Sequence, residues 1–257
     1  MSRLFDLTGR VALTLGSSKG MGKAMAEALA MHGASVVLSS RKQDQCDAAA
    51  AEINDRIGAE RVIGIACNAG HKAQLQSLVE QTRTRLGPVD ILLNNAGVNP
   101  FYGSSMDIPD DAFDKIMAVN VKANLWICNM VIPDMKAKGR GSIMITSSTG
   151  AFGPSATLGA YNISKLADIA LVRNLALEHG PAGVRVNAIC PGLVKTDFAK
   201  ALWDNPEAAQ RVNEQTPLRR LGEPEDFMGI AVYLASDSSA WMTGQALTVC
   251  GGTNMYR

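Results

Sequence analysis

The stretch Val11-Ala12-Leu13-Thr14-Leu15-Gly16-Ser17-Ser18-Lys19-Gly20-Met21-Gly22 decides how the rest of the chain is read. Val11–Leu15 is short and apolar almost throughout, as a strand covered on both faces should be. Glycines at 16, 20 and 22 follow in the pattern G-x-x-x-G-x-G, and a helical pattern, Met21–His32, comes next. Glycine lets the backbone approach a pyrophosphate closely, and the helix N-terminus offers free N–H groups and a positive dipole end. A glycine pattern alone is a weak signal, but here a strand precedes it and a helix follows. Gly16, Ser18, Lys19, Gly20, Met21 and Gly22 are therefore expected to cradle the diphosphate of a dinucleotide.

The same rhythm continues outward. Ser35–Ser39, Arg61–Ala66, Ile91–Leu93, Ser142–Thr146, Val184–Ile189 and Ala246–Val249 read as further strands. Gln43–Ile57, Ala73–Leu86, Asp110–Lys138, Ala156–Glu178 and Glu225–Leu234 read as helices. Gly33, Gly58, Gly87, Gly139 and Gly180 sit just past helical stretches, where a left-handed cap is wanted. The β-α-β alternation predicts an α/β fold, a Rossmann-type doubly wound parallel sheet of about seven strands with helices on both faces. No linker or repeat divides the chain, so residues 1–257 are expected to form one domain. Residues 193–217 break the rhythm with Trp203, Pro206 and several charges. A connection of that length is expected to be a substrate-side insertion, a lid or a binding loop.

Bulk properties narrow the class. Hydrophobic residues make up 47% and charged residues 19% of the 257, ordinary for a globular enzyme. A net charge of +1 gives no reason to expect nucleic acid or an anionic membrane as partner. No apolar run reads as a membrane span, and Met1–Arg10 has no signal-peptide core. Met255-Tyr256-Arg257 is not a peroxisomal or reticulum address, so a cytoplasmic protein is expected. The five cysteines have no C-x-x-C pair and the three histidines lie far apart, so free thiols and no metal site are expected.

The second strand runs into Ser39-Ser40-Arg41-Lys42. A fold that binds NAD usually places Asp or Glu here to hold the ribose 2′-hydroxyl, and that carboxylate would repel a 2′-phosphate. Arg41 can instead fork onto a phosphate, Ser40 can donate to it, and Lys19 adds a second cation. NADP(H) is therefore expected over NAD(H).

Further motifs follow in order. Asn94-Asn95-Ala96-Gly97 follows the fourth strand, and Asn120 sits within the long helix. Ser148 closes the fifth strand, and Tyr161-Asn162-Ile163-Ser164-Lys165 begins thirteen residues later. Pro191-Gly192-Leu193-Val194-Lys195-Thr196 follows the sixth strand. Together with the glycine loop, this set resembles the short-chain dehydrogenase/reductase family across essentially the whole chain. Y-x-x-x-K alone occurs by chance; the ordered set does not.

The chemistry explains the residue types. Tyr161 and Lys165 are four apart, so both project from one helix face. A phenol with a reference pKa of about 10 is a poor acid–base catalyst near neutrality. A nearby ammonium favours its ionised form. Ser148 can donate to a substrate oxygen. The resemblance implies that Asn120 holds a water linking Lys165 to solvent. It implies also that Lys165 bonds the nicotinamide ribose, that Asn95, Ala96 and Gly97 line the adenosine side, and that Asn68 meets the adenine. Pro191, Gly192, Val194 and Thr196 would then orient the nicotinamide. The expected catalytic set is thus Asn120, Ser148, Tyr161 and Lys165, with Tyr161 as general acid and base.

Two positions depart from the family pattern. Leu15 stands where threonine is frequent, and Thr14, one residue earlier, should face the other way. Asn68 stands where aspartate is common. The stretches Val98–Ser104, Pro191–Phe198 and Arg219–Asp226 resemble the NADP(H)-dependent retinal and carbonyl reductase branch, which implies reduction of apolar ketones and aldehydes. Phe101, Tyr102, Phe152 and Trp203 could line an apolar substrate pocket beside Ser148. The alternatives are a 3-oxoacyl-thioester reductase or sugar-acid dehydrogenase and, outside catalysis, an NADP(H)-binding sensor, which would not need the proton relay. The resemblance also implies a homotetramer or homodimer through Asp110–Lys138 and Trp241–Arg257.

Overall fold

The computed structural model describes residues 3–204 and 206–255. Asn205, within the expected insertion, and both ends of the expected 1–257 domain lie outside the described residues. So do Tyr256 and Arg257 of the expected assembly segment.

Strand β1, Val11–Leu15, lies inside a seven-stranded parallel sheet. The chain passes through α1 (Gly20–Met31), β2 (Ser35–Ser40), α2 (Gln43–Ile57), β3 (Val62–Ala66) and α3 (Lys72–Arg85). It then returns to β4 (Ile91–Asn94) on the other side of β1. A long helical arm, α4 (Asp110–Met117) and α5 (Ala123–Lys138), leads to β5 (Gly141–Thr146). Helix α6 (Gly159–His179), β6 (Val184–Pro191), short helices α7 (Lys200–Trp203) and α8 (Pro206–Gln215), α9 (Met228–Ala235) and β7 (Ala246–Val249) complete it. The strand order β3-β2-β1-β4-β5-β6-β7 reverses direction between β1 and β4. In such sheets ligands bind beyond the carboxyl ends of the strands at that reversal.

Period-two alternation builds two cores. Leu13, Leu15, Leu92, Ile143 and Ile145 face one layer with α3, α5 and α6. Ala12, Ile91, Leu93, Met144 and Ile189 face the other with α1, α2 and α9. Each fully buried Leu or Ile contributes roughly 1.5–3 kcal/mol to stability. The register aligns Leu15 with Ser39 and with Asn94, so the chain leaves all three strands at one edge. Gly16, Ser40 and Asn95 emerge there.

Several expectations need correction. Gly180 is right-handed (φ −53°), because the chain continues through a 3-10 turn, Gly180–Ala182. The left-handed residue is Gly183 (φ 77°). Helix α6 begins at Gly159 rather than Ala156, since the Ser155 hydroxyl accepts from the amides of Thr157 and Leu158 and holds a turn. The arm Asp110–Lys138 is 29 residues long and, by length and composition alone, apolar enough to cross a membrane. In the fold it is a core helix, with Ile127, Cys128, Val131, Ile132 and Met135 buried. Its middle, Ala118–Lys122, is a π-helical turn that periodicity could not show. Such turns re-aim side chains inside a helix and recur at functional sites.

Candidate active site

The glycine loop is tight for stated reasons. Gly16 has φ 67°, and an added Cβ would lie 2.8 Å from the Ala96 backbone. At Gly22 it would lie 2.2 Å from the Gly16 carbonyl oxygen. Asn95 donates from Nδ2 to that same oxygen at 3.0 Å, while its buried Oδ1 has no partner. A free, close-packed backbone loop beside an orphaned acceptor fits a dinucleotide. Ser17, not singled out from sequence, is buried and ties the loop to β2 by accepting from Ser39 N at 3.2 Å. Met21 packs on the core below, and Ser18 is half-buried.

Arg41 is exposed at the end of β2 and has no ion-pair partner among the described residues. Ser40 shares a hydrogen bond with the Cys46 thiol at 3.3 Å. Lys19 does not join Arg41 in a free cationic patch; it pairs with Asp197 at 3.3 Å, across to the segment after β6. Thr196 lies beside this link, its methyl 3.1 Å from where a Gly20 Cβ would be. Pro191 ends β6, Gly192 N donates to Val249 O, and Val194 is buried, bridged to Gly222. Asn68 closes a turn between β3 and α3, its Oδ1 accepting from Gly70 N at 3.1 Å. Thr14 does not leave its hydroxyl idle: it donates to Val37 O at 2.9 Å and meets Ser17 Oγ at 2.7 Å.

The Tyr161–Lys165 helix face closes the cleft. Lys165 Nζ lies 5.7 Å from the Tyr161 ring centroid. It donates to Thr146 O at 2.9 Å and to Asp168 Oδ2 at 3.0 Å. Burial pulls this ammonium down, but the Asp168 carboxylate and Tyr161 outweigh it and leave Lys165 above its ordinary value. Burial raises Asp168, more than Lys165 and Asn124 lower it. Ser148 follows β5, its Oγ accepting from Gly150 N at 3.0 Å. Gly97 approaches both sides of the site: its Cβ would be 3.6 Å from Asn120 Oδ1 and 3.7 Å from Lys165 Nζ.

Asn120 sits on the π turn and is fully buried. Its side chain pairs with Val98 in both directions, N to Oδ1 at 2.8 Å and Nδ2 to O at 3.0 Å, and also reaches Ser164 Oγ. Its carbonyl accepts from Asn124 Nδ2 at 2.5 Å. Asn124, Asp168, Ser164 and Ser147 were not singled out from sequence. The signal that could have found Asp168 is an acidic residue on a helix three positions after Lys165, where an apolar core position was due.

The four aromatics expected around the substrate are not brought together as one wall. Phe152 packs on the core, Phe101 lies against Gly103, and Tyr102 is 63% exposed. Trp203 Nε1 donates to Thr196 O at 3.0 Å. The ring that meets Tyr161 is Phe198, 6.1 Å between centroids. The insertion 193–217 is partly helical, through α7 and α8, and Phe198 near its start lies over the tyrosine ring.

A glycine-lined cradle at the reversal of a parallel sheet, facing a Tyr–Lys helix, defines an oxidoreductase that works with a nicotinamide dinucleotide. A family model described as enoyl-(acyl carrier protein) reductase matches residues 16–254. The human dehydrogenase/reductase SDR family member 4 is 42% identical over 253 residues, 98% of this chain and 90% of the relative. The bovine protein of that name is 41% identical over the same shares. A gluconate 5-dehydrogenase from Burkholderia cenocepacia, solved with NADP and tartrate, superposes with a TM-score of 0.93 at 28% identity, covering 99% of each chain. A 7α-hydroxysteroid dehydrogenase, solved with NADH and 7-oxo glycochenodeoxycholic acid, also scores 0.93, at 34% identity over 98% of this chain and 97% of that one. The chain belongs to the short-chain dehydrogenase/reductase family and is an oxidoreductase of the CH–OH/carbonyl class.

Proposed function

We propose that the protein is an NADP(H)-dependent carbonyl reductase that converts an apolar ketone or aldehyde to its alcohol, with Tyr161 as the proton donor. The observation that carries this reading is the buried Lys165 ammonium held 5.7 Å from the Tyr161 ring. When bound, the reduced nicotinamide supplies the hydride; the protein supplies position and the proton. Ser148 donates to the carbonyl oxygen and holds it near the Tyr161 hydroxyl. Lys165 favours the phenolate left after proton transfer. The Asn120 carbonyl, on the π turn, is the group that would seat a relay water. Gly16, Gly20, Gly22 and the Asn95–Gly97 backbone admit the dinucleotide, and Arg41 binds the 2′-phosphate. Phe198 and Trp203 roof the substrate and exclude water.

Greater similarity to the SDR family member 4 relatives, 42% identical against 28% for the gluconate 5-dehydrogenase, favours this reading over a sugar-acid dehydrogenase, and the absence of a carboxylate at the end of β2 favours NADP(H). Exposed apolar side chains on the long helices, Phe113, Leu125, Ile163 and Leu166, suit assembly as a homotetramer or homodimer. The test is a panel of ketones, diketones, aldehydes, a 3-oxoacyl thioester and gluconate, each assayed with both cofactors. Reduction of apolar carbonyls with NADPH, at least about tenfold better than with NADH, supports the proposal. Preference for NADH, or turnover confined to gluconate, contradicts it.

A further inference from the structure

Asp168 has no part in the chemistry above, yet it is fully buried and touches Lys165. Its two oxygens accept from different donors, Oδ2 from Lys165 at 3.0 Å and Oδ1 from Asn124 Nδ2 at 2.6 Å. Donors on both oxygens match the ionised, acceptor-only form. Asn124 in turn accepts from Asn94 Nδ2, and Asn94 Oδ1 accepts from Ala96 N at 3.2 Å. A continuous chain of side chains thus runs from the cofactor-side turn after β4, past the π turn, to Lys165.

The need for it follows from burial. The Lys165 residue is only 3% exposed, and an ammonium stripped of water favours its neutral form. The other titratable groups registered against the pair are Tyr161 on the same helix, Cys128 on α5 and Cys190 on β6. Burial pushes those thiols up to about 12 and about 11, so near neutrality they carry no charge. Thr146, Ser147 and Asn120 are neutral. Among the described residues Asp168 is the carboxylate that ion-pairs with Lys165. Two of the three ammonium donors are occupied, by Thr146 O and Asp168, which leaves one for a ribose hydroxyl or a relay water.

We infer that Asp168 is a positioning residue that keeps Lys165 protonated and fixed beside Tyr161, with Asn124 and Asn94 holding its carboxylate in place. This rests on Tyr161 as the proton donor, and it separates two tasks on one helix. Tyr161 moves the proton; Asp168 keeps the charge that makes the move easy.

The test uses Asp168→Asn, nearly the same shape without the charge. Protein labelled with ¹³Cε-lysine is titrated without cofactor, and the Lys165 signal is assigned by its loss in Lys165→Arg. The Lys165 midpoint is expected above the ordinary lysine range in the parent and at least about 2 pH units lower in Asp168→Asn. Asn124→Ala, which keeps the carboxylate but removes one donor to it, lowers the midpoint by less. With NADPH and the panel carbonyl reduced fastest, kcat of Asp168→Asn falls about tenfold relative to the parent at a pH one unit above the variant's Lys165 midpoint. Its dependence on pH also changes shape, whereas a structural role alone lowers kcat by one factor at every pH. If Asp168→Asn does not fold, Asn124→Ala decides by itself. A Lys165 midpoint that stays in place overturns the inference. Turnover retained in Tyr161→Phe would instead overturn the proton-donor role and leave the Lys165 midpoints standing.

Discussion

The floor beneath Tyr161 and the roof above it are built by opposite means. Below, Asn120, Asn124, Ser164, Lys165 and Asp168 are each 3% exposed or less and bonded to one another. Above, Phe198 is 58% exposed, and the Lys19–Asp197 pair that ties the roof to the glycine loop is largely in solvent. Exposed pairs contribute little, about 0–1 kcal/mol, so this pair does little to lock the roof to the glycine loop. Buried polar networks tolerate almost no change, because each lost partner strands another group. On the proposed function, the reaction type is set in the floor and the choice of substrate falls to the roof.

The comparison can be broken first at the cradle, which shares the floor's rigidity. Gly22→Ala puts a methyl 2.2 Å from the Gly16 carbonyl oxygen, a backbone atom with nowhere to go. NADPH affinity should fall roughly 100-fold, the scale of ~3 kcal/mol of overpacking. Fluorescence titration reads this directly, and a parent-like Kd would show that the loop is pliable. Arg41→Ala comes next. Loss of charge-assisted bonds to the 2′-phosphate, worth ~1.5–3 kcal/mol, should weaken NADPH about tenfold or more and leave NADH within about twofold.

Roof substitutions should act differently. Trp203→Ala removes the bond to Thr196 O and should raise KM for a bulky ketone about fivefold, with kcat within about twofold. A loss confined to kcat would place Trp203 in the chemistry and erase the distinction drawn here. The smallest effect is expected at the anchor of the roof. Arg220 forks onto Asp226 at 2.6 and 2.7 Å, and Asp226 also accepts from Glu223 N. The Arg220 and Glu223 hydrogen bonds hold the Asp226 carboxyl at about 2. A depressed carboxyl stabilises the fold fully above its unfolded value of about 3.9. That contribution is lost as pH falls through about 2. Asp226→Asn should therefore lower stability by about 1 kcal/mol at pH 7 and by progressively less as pH falls from about 3.9 through about 2, seen as melting curves that converge in acid.

Strands, helix faces and the Gly16–Gly22 cradle were legible because they are local. A period of two or a glycine before a helix needs no knowledge of distant residues. The Tyr161–Lys165 face was legible for the same reason, as residues four apart share a side of a helix. What stayed hidden depends on elements far apart in sequence. Asn124 and Asp168 meet across 44 residues, and each alone reads as an ordinary polar residue on a helix. The π turn at Ala118–Lys122 keeps the apolar pattern of an α-helix, so periodicity gave no sign of it. Phe198 was passed over for Trp203 because only the three-dimensional return of the segment after β6 lays its ring on Tyr161. The cap assigned to Gly180 failed because a 3-10 turn postponed the reversal to Gly183.

The central claim is that Tyr161 gives the proton and that cofactor binding does not need it. Tyr161→Phe keeps the ring against Phe198 and removes only the hydroxyl. Single-turnover oxidation of bound NADPH, followed at 340 nm with the best panel carbonyl, measures the step alone. A rate at least about 10³-fold lower is expected, with the NADPH Kd unchanged within about twofold. A rate within about tenfold of the parent would contradict the claim.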